Sequence, residues 1–329
     1  MKPFFSIGVT TYKRNELLKQ CLNSILNQSF EDFEIIVGND YQGASVTGEI
    51  LGISDERIRY VNYESNLGEF GNFNKLLELS TSRYFTWLAD DDLLLPECLA
   101  YYFRALEENN YPECAFSKFE FEYGVETIDK RICEFNYSCK VFAGREFVRK
   151  ALTRKIWPLA TMGVYERNYL SDNGGFSNVT KDFKPGLYGE YMLLIKAGLL
   201  DKVPFVDVPL SAFRLHDDSW SSNNNDSELI RKANSNFFAV AVEQLKQPAL
   251  VDDFRKNIRQ IFELCLYNLG ISMMRSKCGI IEIIKNLAGS YSAFNTNDNL
   301  KIPFIKAFCR ISINMIWTKL KRKSGENNE

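Results

Sequence analysis

The chain has 329 residues, 45% of them apolar, which is enough for one large domain or two with a substantial core. The formal net charge of −2 gives no basic field, so we predict no nucleic-acid partner. The sequence contains no apolar run of about 18 residues and therefore predicts no membrane-spanning helix. No signal-peptide core precedes the first strand pattern, and the eight cysteines show no Cys-x-x-Cys spacing, so reduced thiols and a cytoplasmic location are expected.

The N-terminal pattern predicts a strand, a helix and a second strand. Residues 4–9 have the composition of a buried strand, apolar residues recur at helical spacing over 16–28, and residues 33–37 form the next strand, which leads to Asp40. A unit of this kind predicts two parallel strands joined by a right-handed crossover. Asp40 could accept hydrogen bonds from a nucleobase or a ribose, although Asn-Asp before a glycine is equally a turn signal.

A further strand and helix lead to a cluster of acids. The pattern predicts a short strand over 57–63, a helix over 66–80 and a buried strand over 84–88. This is a nucleotide-binding α/β layout, but the sequence has neither a Gly-x-Gly-x-x-Gly motif nor a Gly-Lys-Ser/Thr loop. A bound phosphate would therefore be held by a metal ion rather than by a glycine-rich loop.

Three consecutive carboxylates, Asp90, Asp91 and Asp92, follow the buried strand. Adjacent carboxylates repel each other, and a counter-charge is needed to hold them together. A divalent cation such as Mg²⁺ binds one or two carboxylates and completes its shell with water and phosphate oxygens. A solvated acidic turn would explain the triplet alone. Its place at the carboxyl end of a strand, where open α/β sheets bind ligands, favours a metal–diphosphate site.

The middle of the chain continues with alternating elements. We predict helices over 96–108, 144–152 and 189–198, strands over 115–123, 157–165 and 203–208, and a turn at 174–176. Glu190 lies in the first turn of the last of these helices, where the helix dipole alone could explain a carboxylate. His216, the only histidine, follows the last strand and could be either a metal ligand or a surface residue.

A polar break at 223–226 predicts a domain boundary. We expect a domain over 1–225, with halves 1–115 and 116–225, and a helical region over 226–329. From 301 to 325 the sequence has seven basic residues and no acid, and its apolar residues have helical spacing. This basic amphipathic tail predicts binding to an anionic membrane surface, and the alternative is a helix that packs on the rest of the chain.

Seven motifs, in this order, resemble those of inverting family 2 glycosyltransferases. They span about two thirds of the chain and comprise Thr11-Tyr12-Lys13-Arg14, residues 24–28, residues 34–40, the set Asn66, Gly68 and Asn74, residues 87–92, residues 174–176, and residues 213–216. The resemblance implies an α/β GT-A fold, in which helices flank a Rossmann-like mixed sheet, here with a C-terminal helical extension.

The resemblance also implies a role for each matching residue. Donor-binding residues would be Thr11, Tyr12, Arg14, Asp40, Asn66, Gly68, Asn74, Asp90 and Asp91, with Asp40 at the base and Asp91 at the ribose. Asp92 would hold Mg²⁺ or Mn²⁺, His216 would bind the metal or the diphosphate, and Glu190 would be the catalytic base. The chain departs from the family in two places: Gly189 replaces the glutamate of a Glu-Asp pair, and residues 41–44 lack the usual serine and second aspartate.

These residues predict an enzyme that transfers a sugar from a nucleoside-diphosphate donor to a hydroxyl of a saccharide acceptor. We expect a lipid-linked acceptor, a role in polysaccharide or O-antigen biosynthesis, and a peripheral location at the inner face of the cell membrane. One alternative is a nucleotide-sugar or membrane-surface binding protein that has lost turnover. Another is a nucleotidyltransferase, although the sequence has no Gly-rich basic triphosphate loop near its N-terminus.

Overall fold

The structure is a computed structural model that describes residues 2–123, 136–177, 179, 188–216, 227–275 and 285. The chain divides into two compact units, Met1–Ser222 and Asn223–Glu329. Within the described ranges, no helix is both long and apolar enough to cross a membrane. The five cysteines found there carry free thiols. The basic tail lies outside these ranges, and so does the boundary that the sequence predicts at 225.

The first unit alternates strands and helices. Its strands are β1 Phe5–Thr11, β2 Phe33–Asn39, β3 Ile58–Asn62, β4 Tyr84–Ala89, β5 Leu93–Leu94, β6 Cys114–Tyr123, β7 Cys139–Phe142, β8 Val164–Glu166 and β9 Val203–Leu215. Its helices are α1 Asn15–Leu26, α2 Gly48–Leu51, α3 Gly68–Leu79, α4 Cys98–Glu108, α5 Gly144–Leu152, α6 Arg167–Asp172 and α7 Gly189–Ala197. The second unit contains α8 Ser227–Leu245 and α9 Phe254–Arg275.

One mixed sheet runs through the first unit, in the order β3-β2-β1-β4-β8-β6-β9-β5, and β7 also pairs with β9. β1 lies between β2 and β4 and is parallel to both. Helices cover both faces, and strands buried on two sides read as near-continuous apolar runs. Ile7 and Val9 pack on the α1 and α4 side, whereas Phe85 and Trp87 pack on the α3 and α7 side. The parallel strands therefore bring their carboxyl ends to one edge of the sheet.

The single strand predicted over 157–165 is only partly correct. The chain instead forms a 3₁₀ turn at Ala160–Met162 and then the short strand β8. Pro158 has no N–H to donate to a sheet. The Ala160 carbonyl is taken by the Gly163 N–H at 3.1 Å and by the Tyr165 hydroxyl at 2.6 Å. Local hydrogen bonds thus replace the sheet ladder in the first part of this segment.

The strand predicted over 203–208 is longer than expected, because β9 continues to Leu215. Pro209 would normally end a central strand, since it cannot donate to the ladder. β9 pairs with β6 through a register shift on either side of Lys118, the residue opposite Pro209, and this irregularity accommodates the proline. As a result, Arg214 lies within the strand and His216 follows directly after it.

The second unit is described over two long helices. Buried residues of α8 and α9 include the aromatic pair Phe238 and Phe262, whose ring centroids lie 6.1 Å apart. The buried amide of Asn234 donates to the Cys265 carbonyl at 2.8 Å. These helices correspond to those predicted over 227–247 and 251–269. The segments predicted over 280–287 and 303–323 fall almost wholly outside the described residues.

Candidate functional site

Three strand ends meet around Asp90, Asp91 and Asp92, which we call the acidic triad. The triad follows β4, and the loop after β1 lies next to it because the two strands are parallel neighbours. The Asp90 N–H donates to the Thr10 carbonyl at 3.1 Å, so the pairing continues up to the triad. β9 reaches the triad from the other side, through Arg214 and His216. The sheet therefore brings the loop after β1 and the end of β9, which are distant in sequence, to the acidic triad.

The β1 loop holds the first two carboxylates. The Thr11 hydroxyl donates to Asp90 at 2.6 Å, and the Tyr12 N–H lies 3.4 Å from the same oxygen. The Arg14 guanidinium pairs with Asp90 at 2.5 Å and with Asp91 at 2.6 Å. Burial raises the pKa of Asp90 to about 6, and the charge of Arg14 opposes this rise. One arginine thus balances two neighbouring carboxylates, a partner that the sequence analysis did not assign to them.

Arg214 holds the other side of the triad, and the sequence analysis did not assign it a role. Its backbone N–H donates to Asp92 at 3.0 Å, and its guanidinium donates to the Asp91 carbonyl and to the Gln20 side chain. Both Arg214 and Asp92 are buried. Burial and the neighbouring charge of Asp91 raise the pKa of Asp92 well above its usual range. The sequence feature that could have pointed to Arg214 is its position two residues before His216, the only histidine.

His216 lies beside Asp91, with its Nε2 atom 3.2 Å from the carboxylate. Its side chain is almost completely buried. The structure therefore brings His216 to the triad, but its described contact is with Asp91 rather than with Asp92, the residue with which the resemblance groups it.

Asp40 has both carboxylate oxygens at the start of α3. They accept the Leu67 N–H at 2.6 Å and the Gly68 N–H at 2.9 Å. The Asn66 side chain donates to the Asp40 carbonyl at 3.1 Å. Unpaired N–H groups at a helix start favour a carboxylate. The motif residues Asp40, Asn66 and Gly68 thus form one structural group, and the nucleobase contact remains a prediction.

A cavity of about 430 Å³ lies beside Arg14, between the ends of β1 and β2. Its lining includes Lys13, Asn39 and Tyr41. Next to it, the rings of Tyr12 and Tyr41 meet edge to face with centroids 5.4 Å apart. The Lys13 ammonium lies 4.3 Å from the Tyr41 centroid. The cavity thus has aromatic and cationic groups in or beside its lining. Arg14 lines it and also pairs with the acidic triad.

Glu190 starts α7 and is held by the 3₁₀ turn. The Thr161 hydroxyl donates to its carboxylate at 2.6 Å. Burial raises the pKa of Glu190 to about 7, hydrogen bonds from Thr161 and Ala160 oppose the rise, and the charge of Glu69 adds to it. A carboxylate that titrates near neutrality suits a general base. The dipole of α7 is therefore not the only influence on this residue.

Residues 6–154 match the family model described as Glycosyl transferase family 2. The matched segment is just under half of the chain. The match supports the resemblance that the motifs suggested, and it supports the expectation of a glycosyltransferase enzyme.

Known proteins are similar to this chain in sequence or in fold. The GalNAc(5)-diNAcBac-PP-undecaprenol beta-1,3-glucosyltransferase of Campylobacter jejuni is 36% identical over 101 residues, which cover 30% of this chain and 33% of that enzyme. S. aureus TarS 1-349 in complex with UDP-GlcNAc has a TM-score of 0.52 at 15% identity, over 83% of this chain and 81% of the TarS 1-349 chain. The mannosyltransferase PcManGT of Pyrobaculum calidifontis, in complex with GDP-Man and Mn²⁺, has a TM-score of 0.52 at 14% identity, over 97% of this chain and 88% of that chain. The two structures confirm the predicted GT-A fold.

The oxygen atoms of the acidic triad fit a hard divalent cation. Asp91 and Asp92 each use one carboxylate oxygen for the contacts above, and the other oxygen accepts no hydrogen bond within the described part of the chain. The same part contains no group of three or more His, Cys, Asp or Glu side chains that could hold a metal. Two carboxylate oxygens are sufficient when water and a diphosphate complete the shell of Mg²⁺.

Gly189 explains one departure from the family motif. A Cβ atom at this position would lie 2.4 Å from the Phe176 ring. The ring itself packs against Phe73 and Trp87 in the core, so it cannot easily move. A glutamate at 189 therefore does not fit this packing. Of the two positions that match the Glu-Asp pair, only 190 carries a carboxylate.

Asn74 contacts the Gly-Gly-Phe turn at 174–176. It lies within α3, where its amide donates to the Phe176 carbonyl at 3.0 Å and accepts the Phe176 N–H at 2.9 Å. Gly175, at φ +57°, comes so close that a Cβ atom there would lie 2.4 Å from the Asn74 side chain. The Gly-Gly-Phe turn and Asn74 thus form one structural unit. The cofactor-binding role predicted for Asn74 has no counterpart in these contacts.

Asn74→Ala should therefore lower stability rather than donor affinity. It removes two hydrogen bonds to half-buried backbone groups, at about 1 kcal/mol each, and we expect a loss of roughly 2 kcal/mol in urea unfolding. Asn173→Ala, which removes an exposed bond from the same turn region, is the matched control and should change little. A stable Asn74→Ala protein with weakened donor binding would restore the predicted cofactor role.

Proposed function

We propose that this protein is a metal-dependent family 2 glycosyltransferase, which transfers a sugar from a nucleoside-diphosphate donor to a saccharide hydroxyl. The main support is the convergence of β1, β4 and β9 on the acidic triad, next to a cavity lined by Lys13, Arg14 and Tyr41. The named ligands of TarS and PcManGT, UDP-GlcNAc and GDP-Man with Mn²⁺, belong to the same chemical class.

The triad side would bind the donor. Asp92 would hold the cation, and we add Asp91 as a second ligand, where the resemblance implies His216 as the second ligand and places Asp91 at the ribose. When bound, the cation neutralises charge on the leaving diphosphate. Arg14 keeps Asp91 oriented and is also close enough to the cavity to meet a phosphate. Thr11 and Arg214 fix the carboxylates on their two sides.

Glu190 would accept the proton of the acceptor hydroxyl. Its pKa of about 7 leaves a large fraction ionised at neutral pH, and Thr161 fixes one carboxylate oxygen. Once deprotonated, the acceptor oxygen attacks the anomeric carbon, the bond to the diphosphate breaks, and the configuration inverts. The raised pKa favours turnover over the alternative of a binding protein without activity.

The acceptor is proposed to be a lipid-linked saccharide in polysaccharide or O-antigen biosynthesis. The C. jejuni relative is named for a PP-undecaprenol-linked acceptor, which supports this class for the aligned domain. The basic residues from 301 to 325 support contact with an anionic membrane surface at the inner face of the cell membrane.

The proposal is tested with a panel of nucleoside-diphosphate sugars, with and without Mn²⁺. We expect one donor to raise the melting temperature only with Mn²⁺, because a ligand at about 100 times its Kd adds about 2.7 kcal/mol to stability. The same donor should release its nucleoside diphosphate. Release of pyrophosphate from a nucleoside triphosphate would instead indicate a nucleotidyltransferase. Stabilisation with no release for any donor or acceptor would indicate a binding protein.

A further inference from the structure

Four aromatic residues form a cluster at the surface of the first unit. Phe119 and Phe121 alternate along β6, Phe213 lies opposite Phe121 on β9, and Trp157 comes from the segment after α5. The centroid of Trp157 lies 5.8 Å from that of Phe119 and 5.5 Å from that of Phe121. Those of Phe121 and Phe213 are 5.9 Å apart. We call these four residues the aromatic cluster.

The cluster presents large apolar side chains to solvent. Trp157 is 51% exposed and Phe121 is 37% exposed. Isolated apolar residues are common at protein surfaces, but a contiguous group is typical of a binding site. The three contacts are nearly edge to face, with interplanar angles of 70° to 88°. The Arg154 guanidinium lies 5.4 Å from the Trp157 ring. The rings thus support one another in a fixed arrangement.

The cluster connects to both sides of the candidate site. Trp157 lies four residues before Thr161, which holds the proposed base. Phe213 directly precedes Arg214, whose N–H binds the acidic triad. The acceptor hydroxyl must lie between the base, which takes its proton, and the donor, which its oxygen attacks. The cluster therefore occupies the part of the unit where the acceptor side of the site is expected.

The chemistry of the exposed rings fits a sugar. One face of a pyranose ring carries C–H groups, which pack on the electron-rich face of an indole, while the hydroxyls at its edge stay hydrated. A bilayer would also accept exposed aromatic residues. However, an occupant that delivers a hydroxyl to Glu190 has to lie beside it, and this requirement favours a saccharide over a membrane surface.

From this placement we infer that the aromatic cluster is an acceptor platform, on which a pyranose ring of the acceptor stacks against Trp157. The inference rests on the proposed transferase function and specifies where its second substrate lies. It assigns Trp157 and Phe121 to acceptor binding, a role that no motif in the sequence indicated.

The test compares Trp157→Ala and Phe121→Ala with the wild type, and Ile50→Ala serves as the matched control. Ile50 is 57% exposed and lies on α2, outside the site. Cellobiose and N,N′-diacetylchitobiose are the neutral probes. Their effect is read as the ratio of stimulated to unstimulated nucleoside-diphosphate release, and their binding as a change in tryptophan fluorescence. Trp157→Ala should raise the half-saturating probe concentration about tenfold, Phe121→Ala should raise it less, and Ile50→Ala should not change it.

Three results would overturn the platform. The first is a half-saturating probe concentration in Trp157→Ala equal to that of the wild type, and the second is a wild type that responds to neither probe. The third is a Trp157→Ala protein that loses only its binding to anionic phospholipid vesicles. Circular dichroism and melting temperatures show whether each variant is folded. If the wild type releases nucleoside diphosphate from no donor, the proposed function fails, and the fluorescence titration still decides whether Trp157 binds sugars.

Discussion

Asp92→Asn should abolish metal-dependent transfer and leave the fold intact. The side chain is 4% exposed, and an asparagine of the same size can still accept the Arg214 N–H. It lacks the negative charge that a hard divalent cation requires. A Lewis-acid cation supplies several kcal/mol to the transition state, so we expect a loss of at least about 10³-fold in turnover. The measurement is nucleoside-diphosphate release across a Mn²⁺ titration.

Asp55→Asn is the matched control for this substitution. Asp55 pairs with Arg57 near the start of β3, outside the triad, and its loss should leave turnover unchanged. An Asp92→Asn protein that reaches wild-type turnover in excess Mn²⁺ would move the metal to other ligands. An unfolded protein would be recognised by its melting curve, and Asp92→Glu, which keeps the charge, then serves as the second variant.

Glu190→Gln should lower turnover by about 10²–10⁴-fold, the range that a general base contributes. Glutamine has the same shape and can still accept the Thr161 hydroxyl, but it cannot accept the acceptor proton. Donor affinity should be largely retained, because no described contact joins Glu190 to the triad. Single-turnover rates and donor binding with Mn²⁺ separate these two effects. Unchanged turnover would assign the base elsewhere, with Asp217 or Asp218 as the next candidates.

The pKa of Glu190 also predicts the pH profile of the wild type. Turnover should rise as pH increases through about 7, because only the ionised carboxylate can accept a proton. The charge of Glu69 contributes to the raised pKa, so Glu69→Gln should shift this rise to lower pH. A profile with no change near neutrality would contradict the assignment of Glu190 as the base.

Stability should change with pH in the opposite direction. The folded protein holds the Glu190 proton up to a pKa of about 7, whereas the unfolded chain releases it near 4.5, so wild-type stability falls as pH rises between these values. Glutamine does not titrate. Relative to the wild type, Glu190→Gln should therefore gain up to about 3 kcal/mol between about pH 5 and pH 8 in urea unfolding. An equal difference at both pH values would mean that the pKa is not raised.

The central strands and the triad were predictable because their signals are local. β1, β2 and β4 are short segments rich in apolar and aromatic residues, and three adjacent aspartates at a strand end already require a positive partner. Helices α1, α4 and α7 show apolar residues at helical spacing and were expected within a few residues of their bounds.

Long-range partners were not predictable. Gln20 and Arg214 are 194 residues apart and meet only because α1 begins beside the triad and β9 ends there. Asn74 and Phe176, 102 residues apart, read as separate motif residues, although the fold makes them hydrogen-bond partners. The full length of β9 was not predicted, because Pro209 normally ends a central strand. The strand continues here because its pairing with β6 is irregular at that point.

The continuity of β9 has a consequence for how the two substrates affect each other. Phe213 and Arg214 are consecutive, and side chains of consecutive strand residues project to opposite faces. A shift of this short stretch of backbone caused by a sugar stacked near Phe213 would also move the Arg214 backbone N–H that holds Asp92. Any such heterotropic coupling is reciprocal: whatever factor the acceptor contributes to donor affinity, the donor must return to acceptor affinity.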